Sequence, residues 1–99
     1  MKTFKEECEE WLKPFGYTVH AHNPTNTSIG FLNPELDYSP YIDCFINEVG
    51  EKVCKLSGGG VKMFCSIKSG NLIFKHPDIK KYIDALCHYS KLCYENPPF

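Results

Sequence analysis

The stretch YIDCFINEVGEKVCKL, residues 41–56, carries a period of two on both sides of a turn. Ile42, Cys44 and Ile46 alternate with Asp43, Phe45 and Asn47; beyond Glu48-Val49-Gly50-Glu51, Cys54 and Leu56 resume the apolar phase. Such alternation marks strands with one face on a core and one toward solvent, and so short a connection joins antiparallel neighbours. Residues 41–56 are therefore expected to form a β-hairpin with two cysteines on its inner face.

The same period extends in both directions. Upstream, Tyr17, Val19 and Ala21 alternate with Thr18, His20 and His22, Asn23-Pro24-Thr25-Asn26 supplies turn chemistry, and Ile29 and Phe31 share one face of the next strand. A polar loop bounded by Pro34 and Pro40 follows. Downstream, Ser57 to Gly60 turns, and Val61, Met63, Cys65 and Ile67 alternate with Lys62, Phe64, Ser66 and Lys68. Ser69-Gly70-Asn71 then leads into the short strand Leu72-Ile73-Phe74. The middle of the chain reads as an antiparallel β-meander of five or six strands.

Both flanks change to a helical period. Thr3-Phe4-Lys5-Glu6 is a capping box, and Phe4, Cys8, Trp11, Leu12 and Phe15 form one apolar stripe opposite Glu6, Glu7, Glu9, Glu10 and Lys13. Pro14 and Gly16 end this helix. At the other end Pro77 and Asp78 suit a first helical turn. Ile79, Tyr82, Ile83, Leu86, Cys87, Ser90 and Cys93 follow as a stripe until Asn96-Pro97-Pro98. The expected fold is a single α+β domain over residues 1–99: N-terminal helix, antiparallel meander, C-terminal helix, in two layers. Whether the second helix covers the same sheet face as the first stays open, and with it the exposure of Phe45, Phe64 and Ile73.

Composition narrows the function classes. Apolar residues make up 42% and charged residues 23% of 99 residues, as in ordinary globular domains. No apolar run approaches the roughly 18 residues that span a bilayer, so no membrane partner is expected. Met1 to Glu10 carries four glutamates and does not read as a secretory signal, so a cytoplasmic location is expected. The six cysteines fall in phase with apolar neighbours and are expected as reduced, buried thiols. The net charge of −1 hides an acidic first half and a basic second half. Every basic side chain is lysine, and glutamine is absent as well as arginine, a bias that points to an AT-rich genome such as that of a phage or low-GC bacterium.

No residue pattern calls for catalysis, a metal or a cofactor, and a non-enzymatic protein is expected. His20-Ala21-His22 would put two imidazoles on one strand face, but a metal site needs a third ligand. The cysteines lack C-x₂-C spacing, and Cys87 and His88 point about 100° apart on a helix. Ser57-Gly58-Gly59-Gly60 precedes a strand rather than the helix N-terminus that holds phosphate.

Two binding readings remain. The first is a protein-binding module using Phe45, Phe64, Ile73, Tyr38 and Tyr41 together with the acidic Glu6, Glu9 and Glu10, toward a protein partner or a second copy of itself. In small size, lysine-only basicity and lack of catalytic motifs the chain resembles, in type, phage-encoded inhibitors of host defence, anti-CRISPR proteins among them. Those share no common motif, so the resemblance assigns no residues and implies only a partner in a host defence complex, met in the host cytoplasm. The second reading is a single-stranded nucleic-acid binder built on Lys52, Lys55, Lys62, Phe64 and Lys68. The absence of arginine and the slight net acidity weigh against it.

Overall fold

The computed structural model describes residues 1–22, 28–36, 38–57 and 71–95. Helix α1 (Phe4–Leu12) is followed by a 3₁₀ turn (Lys13–Phe15) and strands β1 (Thr18–His22), β2 (Ser28–Leu32), β3 (Tyr41–Ile46), β4 (Lys52–Ser57) and β5 (Asn71–Ile73), then helix α2 (Ile79–Glu95). The strands form one antiparallel sheet in the order β1-β2-β3-β4-β5. The α+β architecture expected from the alternating periods is thus the one observed. The strand expected over Val61–Ile67, the turn at Asn23–Asn26 and the stop at Asn96–Pro98 lie outside the described residues.

Local chemistry sets the ends of α1. The Glu6 N–H donates to Thr3 Oγ1 at 3.2 Å and the Thr3 N–H donates to Glu6 Oε1 at 3.2 Å, completing the capping box. At the far end the Lys13 N–H donates to the Glu9 carbonyl, and after the 3₁₀ turn that follows, Gly16 takes φ +84° with its N–H donating to the Lys13 carbonyl, a left-handed cap that an L side chain would strain.

Register fixes the inner face of the sheet. Ile29 sits opposite Cys44 and Cys44 opposite Cys54; Phe31 sits opposite Ile42 and Ile42 opposite Leu56. These six residues are buried together with Cys8 and Leu12 of α1, Tyr17, and Ile79 and Ile83 of α2 in one cluster. Because side chains from both helices join the same inward set, both helices cover the same sheet face. Full burial of a side chain such as Phe31 or Ile42 contributes roughly 1.5–3 kcal/mol.

The α1 helix is pinned to the far side of the sheet by aromatic and charged contacts. The Phe4 and Trp11 rings meet the Phe74 ring at centroid distances of 5.5 and 5.2 Å. Lys52 Nζ lies 5.8 Å from the Phe4 centroid and 5.7 Å from the Phe74 centroid, and donates to Glu7 at 2.8 Å. That ammonium holds the Glu7 carboxyl below its ordinary pKa.

One strand departs from its expected alternation. Val19 pairs with Phe31, but Ala21 pairs with Gly30 and His22 with Ile29, so a bulge falls at His20. His22 is therefore in register with the inward Ile29, whereas the His20 ring meets Tyr41 edge-on at 6.1 Å on the outer face. The two imidazoles do not share a face. The extra residue in the bulge resets the parity that simple alternation assumes.

Candidate interaction surface

With both helices on one side, the outer sheet face is left to residues of odd parity on β3 and β4. Three cross-strand rows are in register there. The first runs Ser28–Phe45–Val53–Ile73, the second Gly30–Asp43–Lys55–Asn71, and Tyr41 opposite Ser57 belongs to the third. The first row is apolar over three strands. Ile73 is 73% exposed in it, and Phe45 and Val53 are half-buried. Branched and aromatic neighbours at cross-strand positions pack on one another and present a continuous apolar band.

The β3–β4 hairpin extends this band. Asn47 Oδ1 accepts from the Val49 N–H at 3.1 Å and from the Glu51 N–H at 2.8 Å, while the Gly50 N–H donates to the Asn47 carbonyl. Gly50 takes φ +83°, which the tight tip requires. This frame holds Val49 outward at 76% exposure. Phe45, Ile46, Asn47, Glu48 and Val49 line a shallow depression of about 540 Å³.

The middle row is polar and separates this band from the aromatic end. Ser28 Oγ donates to Asp43 Oδ1 at 3.0 Å, and Lys55 stands opposite Asp43. Beyond it the Tyr41 ring lies over Gly30 with His20 at its edge. Burial, and then the Asp43 carboxylate, push the Tyr41 phenol above its ordinary pKa.

The residues singled out from the sequence fall in three places. Phe45 and Ile73 come together, Tyr41 stands on the same face across the polar row, and Tyr38 sits in the preceding loop with φ +63°. Phe64 lies outside the described residues. Glu6, Glu9 and Glu10 are on α1, across the sheet from the aromatic row, and each carboxylate has an intramolecular partner: Glu6 accepts from the Thr3 N–H, Glu9 pairs with Lys5 at 3.2 Å and Glu10 with Lys2. Acidic and aromatic groups therefore do not form one patch. Of the lysines weighed for nucleic acid, Lys52 faces α1 and Lys55 the outer side, so these two do not line one track. Lys62 and Lys68 lie outside the described residues.

Two surface features were missed in the sequence. Val49 and Val53 join the outer band; their place in it depends on the hairpin tip and on the pairing of Val53 with Phe45 across the strands. On α2, Tyr82, Ala85, Tyr89 and Leu92 recur at intervals of three and four residues and are all exposed. Tyr82, expected within the apolar stripe of α2, turns outward instead and meets the His76 ring edge-on at 5.6 Å. Cys93 of that expected stripe has a side chain outside those described.

The thiols offer little chemistry in their resting arrangement. Cys8, Cys44 and Cys54 are unbonded and fully buried. Contacts with the Cys54 and Cys8 sulfurs, followed by burial, hold the Cys44 thiol well above the ordinary range and so against the nucleophilic thiolate. Among the described residues no group of three or more His, Cys, Asp or Glu side chains is placed to hold a metal ion. No described helix is long and apolar enough to cross a membrane. Compared with known proteins, the chain matches no family model, and no curated protein or solved structure matches it significantly.

Proposed function

We propose that this protein is a small binding module that acts by occupying a protein partner's surface through the outer face of its sheet. The supporting observation is the in-register apolar row Phe45–Val53–Ile73, with Ile73 73% exposed on a face that neither helix covers. An apolar band bordered by the polar Ser28–Asp43 pair has the layout of an interface centre with a hydrophilic rim. Antiparallel strands hold the row rigid, so few side chains need ordering on contact. Occlusion of this kind is how a small inhibitor of a host defence complex would work, and it requires no catalytic group.

The test uses tagged protein and its native host. Ile73→Lys and Val49→Lys should each weaken capture of the co-purifying partner by about tenfold or more, as central apolar contacts do. Lys81→Glu, on exposed α2, should leave capture unchanged. Unaltered capture by both apolar-to-lysine variants, with circular dichroism intact, would rule out this face. Mass measurement in solution identifies the case in which the partner is a second copy, since the same two substitutions would then return the dimer to a monomer.

A further inference from the structure

We propose that Cys44 and Cys54 form an oxidisable dithiol, a modification site that closes to a disulfide between β3 and β4. The two residues are directly opposed in register and their sulfurs are 3.1 Å apart.

The backbone geometry suits the bond. The Asn47 N–H donates to the Glu51 carbonyl at 2.9 Å, which makes 47 and 51 a hydrogen-bonded position at the end of the hairpin. Hydrogen-bonded and non-hydrogen-bonded pairs alternate along an antiparallel ladder, so Phe45–Val53 is hydrogen-bonded and Cys44–Cys54 is not. The Phe74 N–H, donating to the Lys52 carbonyl, agrees: the even positions of β4 direct their backbone groups to β5. Non-hydrogen-bonded pairs bring Cα atoms to about 4.5 Å, inside the range that disulfides accept. The sulfurs then need to approach by only about 1 Å to reach a bond length of ~2.05 Å.

The reaction needs a two-electron oxidant, and hydrogen peroxide supplies it. With the pair opened to water, one thiol gives up its proton and its sulfur attacks a peroxide oxygen; an S–O bond forms, the O–O bond breaks, and the released hydroxide takes up that proton and leaves as the first water. The second thiol attacks that sulfenic sulfur; the S–S bond forms, the S–O bond breaks, and a second water leaves. Two thiols lose two electrons and one peroxide gains them.

Helix α1 controls access. Cys8 of α1 belongs to the same buried cluster as Cys44 and Cys54, and all three residues have no exposed surface. Peroxide reaches the pair through a local opening of the layer that α1 forms above it, rather than through global unfolding. Once that layer closes, the cross-link is buried again.

The experiment is peroxide treatment of the whole folded protein, acid quench, unfolding, alkylation and peptide mapping by mass spectrometry. The expected result is a loss of 2 Da, with the Cys44 and Cys54 peptides linked and Cys8 alkylated, reversed by dithiothreitol. The oxidised protein should keep its circular dichroism and show a raised unfolding midpoint. The same dose given in urea should produce mixed pairings among the six cysteines. Mixed pairings from the folded protein, a Cys8–Cys44 link, or full alkylation of Cys44 and Cys54 after oxidation would each overturn the proposal.

Discussion

Gly30 on β2 lies directly beneath the Tyr41 ring of β3: a Cβ at position 30 would fall 1.5 Å from the Tyr41 hydroxyl oxygen and 2.4 Å from Cζ. The glycine serves here as room for a ring. Gly30→Ala should therefore push the Tyr41 ring off this position and destabilise the protein by about 1 kcal/mol, measured by urea unfolding. In the double variant Gly30→Ala/Tyr41→Ala most of that cost should disappear, giving a coupling of about 1 kcal/mol. Additive effects would mean that Tyr41 does not occupy this place.

The position of α2 can be tested with two isoleucines. Ile83 is buried in the common core and Ile73 is on the outer face. Ile83→Ala should cost about 2–4 kcal/mol, whereas Ile73→Ala should stay within about 0.5 kcal/mol. Similar values for the two, from chemical denaturation, would contradict a shared layer for both helices.

Tyr17 ties the end of the 3₁₀ turn to the loop before β3 by donating its buried hydroxyl to the Pro40 carbonyl at 3.1 Å. Burial pushes its phenol well above the ordinary value. In the unfolded chain a tyrosine releases its proton near pH 10, while the native protein retains it. The unfolded state then binds fewer protons, so stability is full below about pH 10 and declines as pH rises beyond it. Tyr17→Phe should lose about 1 kcal/mol near neutral pH and show a shallower alkaline decline. Parallel alkaline profiles for the two proteins would refute this assignment.

Ser90 stands 5% exposed in α2, and its Oγ has no hydrogen-bond partner among the described residues. An unsatisfied buried hydroxyl is a cost, and alanine is the better helix former. Ser90→Ala should raise stability by about 1 kcal/mol, seen as a higher thermal midpoint. A fall of the same size would indicate a partner for the hydroxyl.

Much of the fold was legible because local patterns carry it. Thr3 and Glu6 announce the start of α1, and both bonds of the box are present. The alternation of Ile42, Cys44, Cys54 and Leu56 names the inward set of the central hairpin, and all four are buried. The interaction surface was legible only in part. Phe45 and Ile73 were found through parity, but Val49 and Val53 became visible only when the hairpin tip and the cross-strand row were in place.

The sequence by itself determined which residues of each helix and strand are apolar together, since side-chain direction repeats every 3.6 or 2 residues along a single element. Only the tertiary structure decided that α2 joins α1 on one side, that the acids of α1 and the row Phe45–Val53–Ile73 look in opposite directions, and that a bulge at His20 parts two histidines. The physical reason is that periodicity describes one element at a time. Layer, register and the meeting of two cysteine sulfurs 3.1 Å apart depend on contacts between residues distant along the chain, and these form only when the core closes.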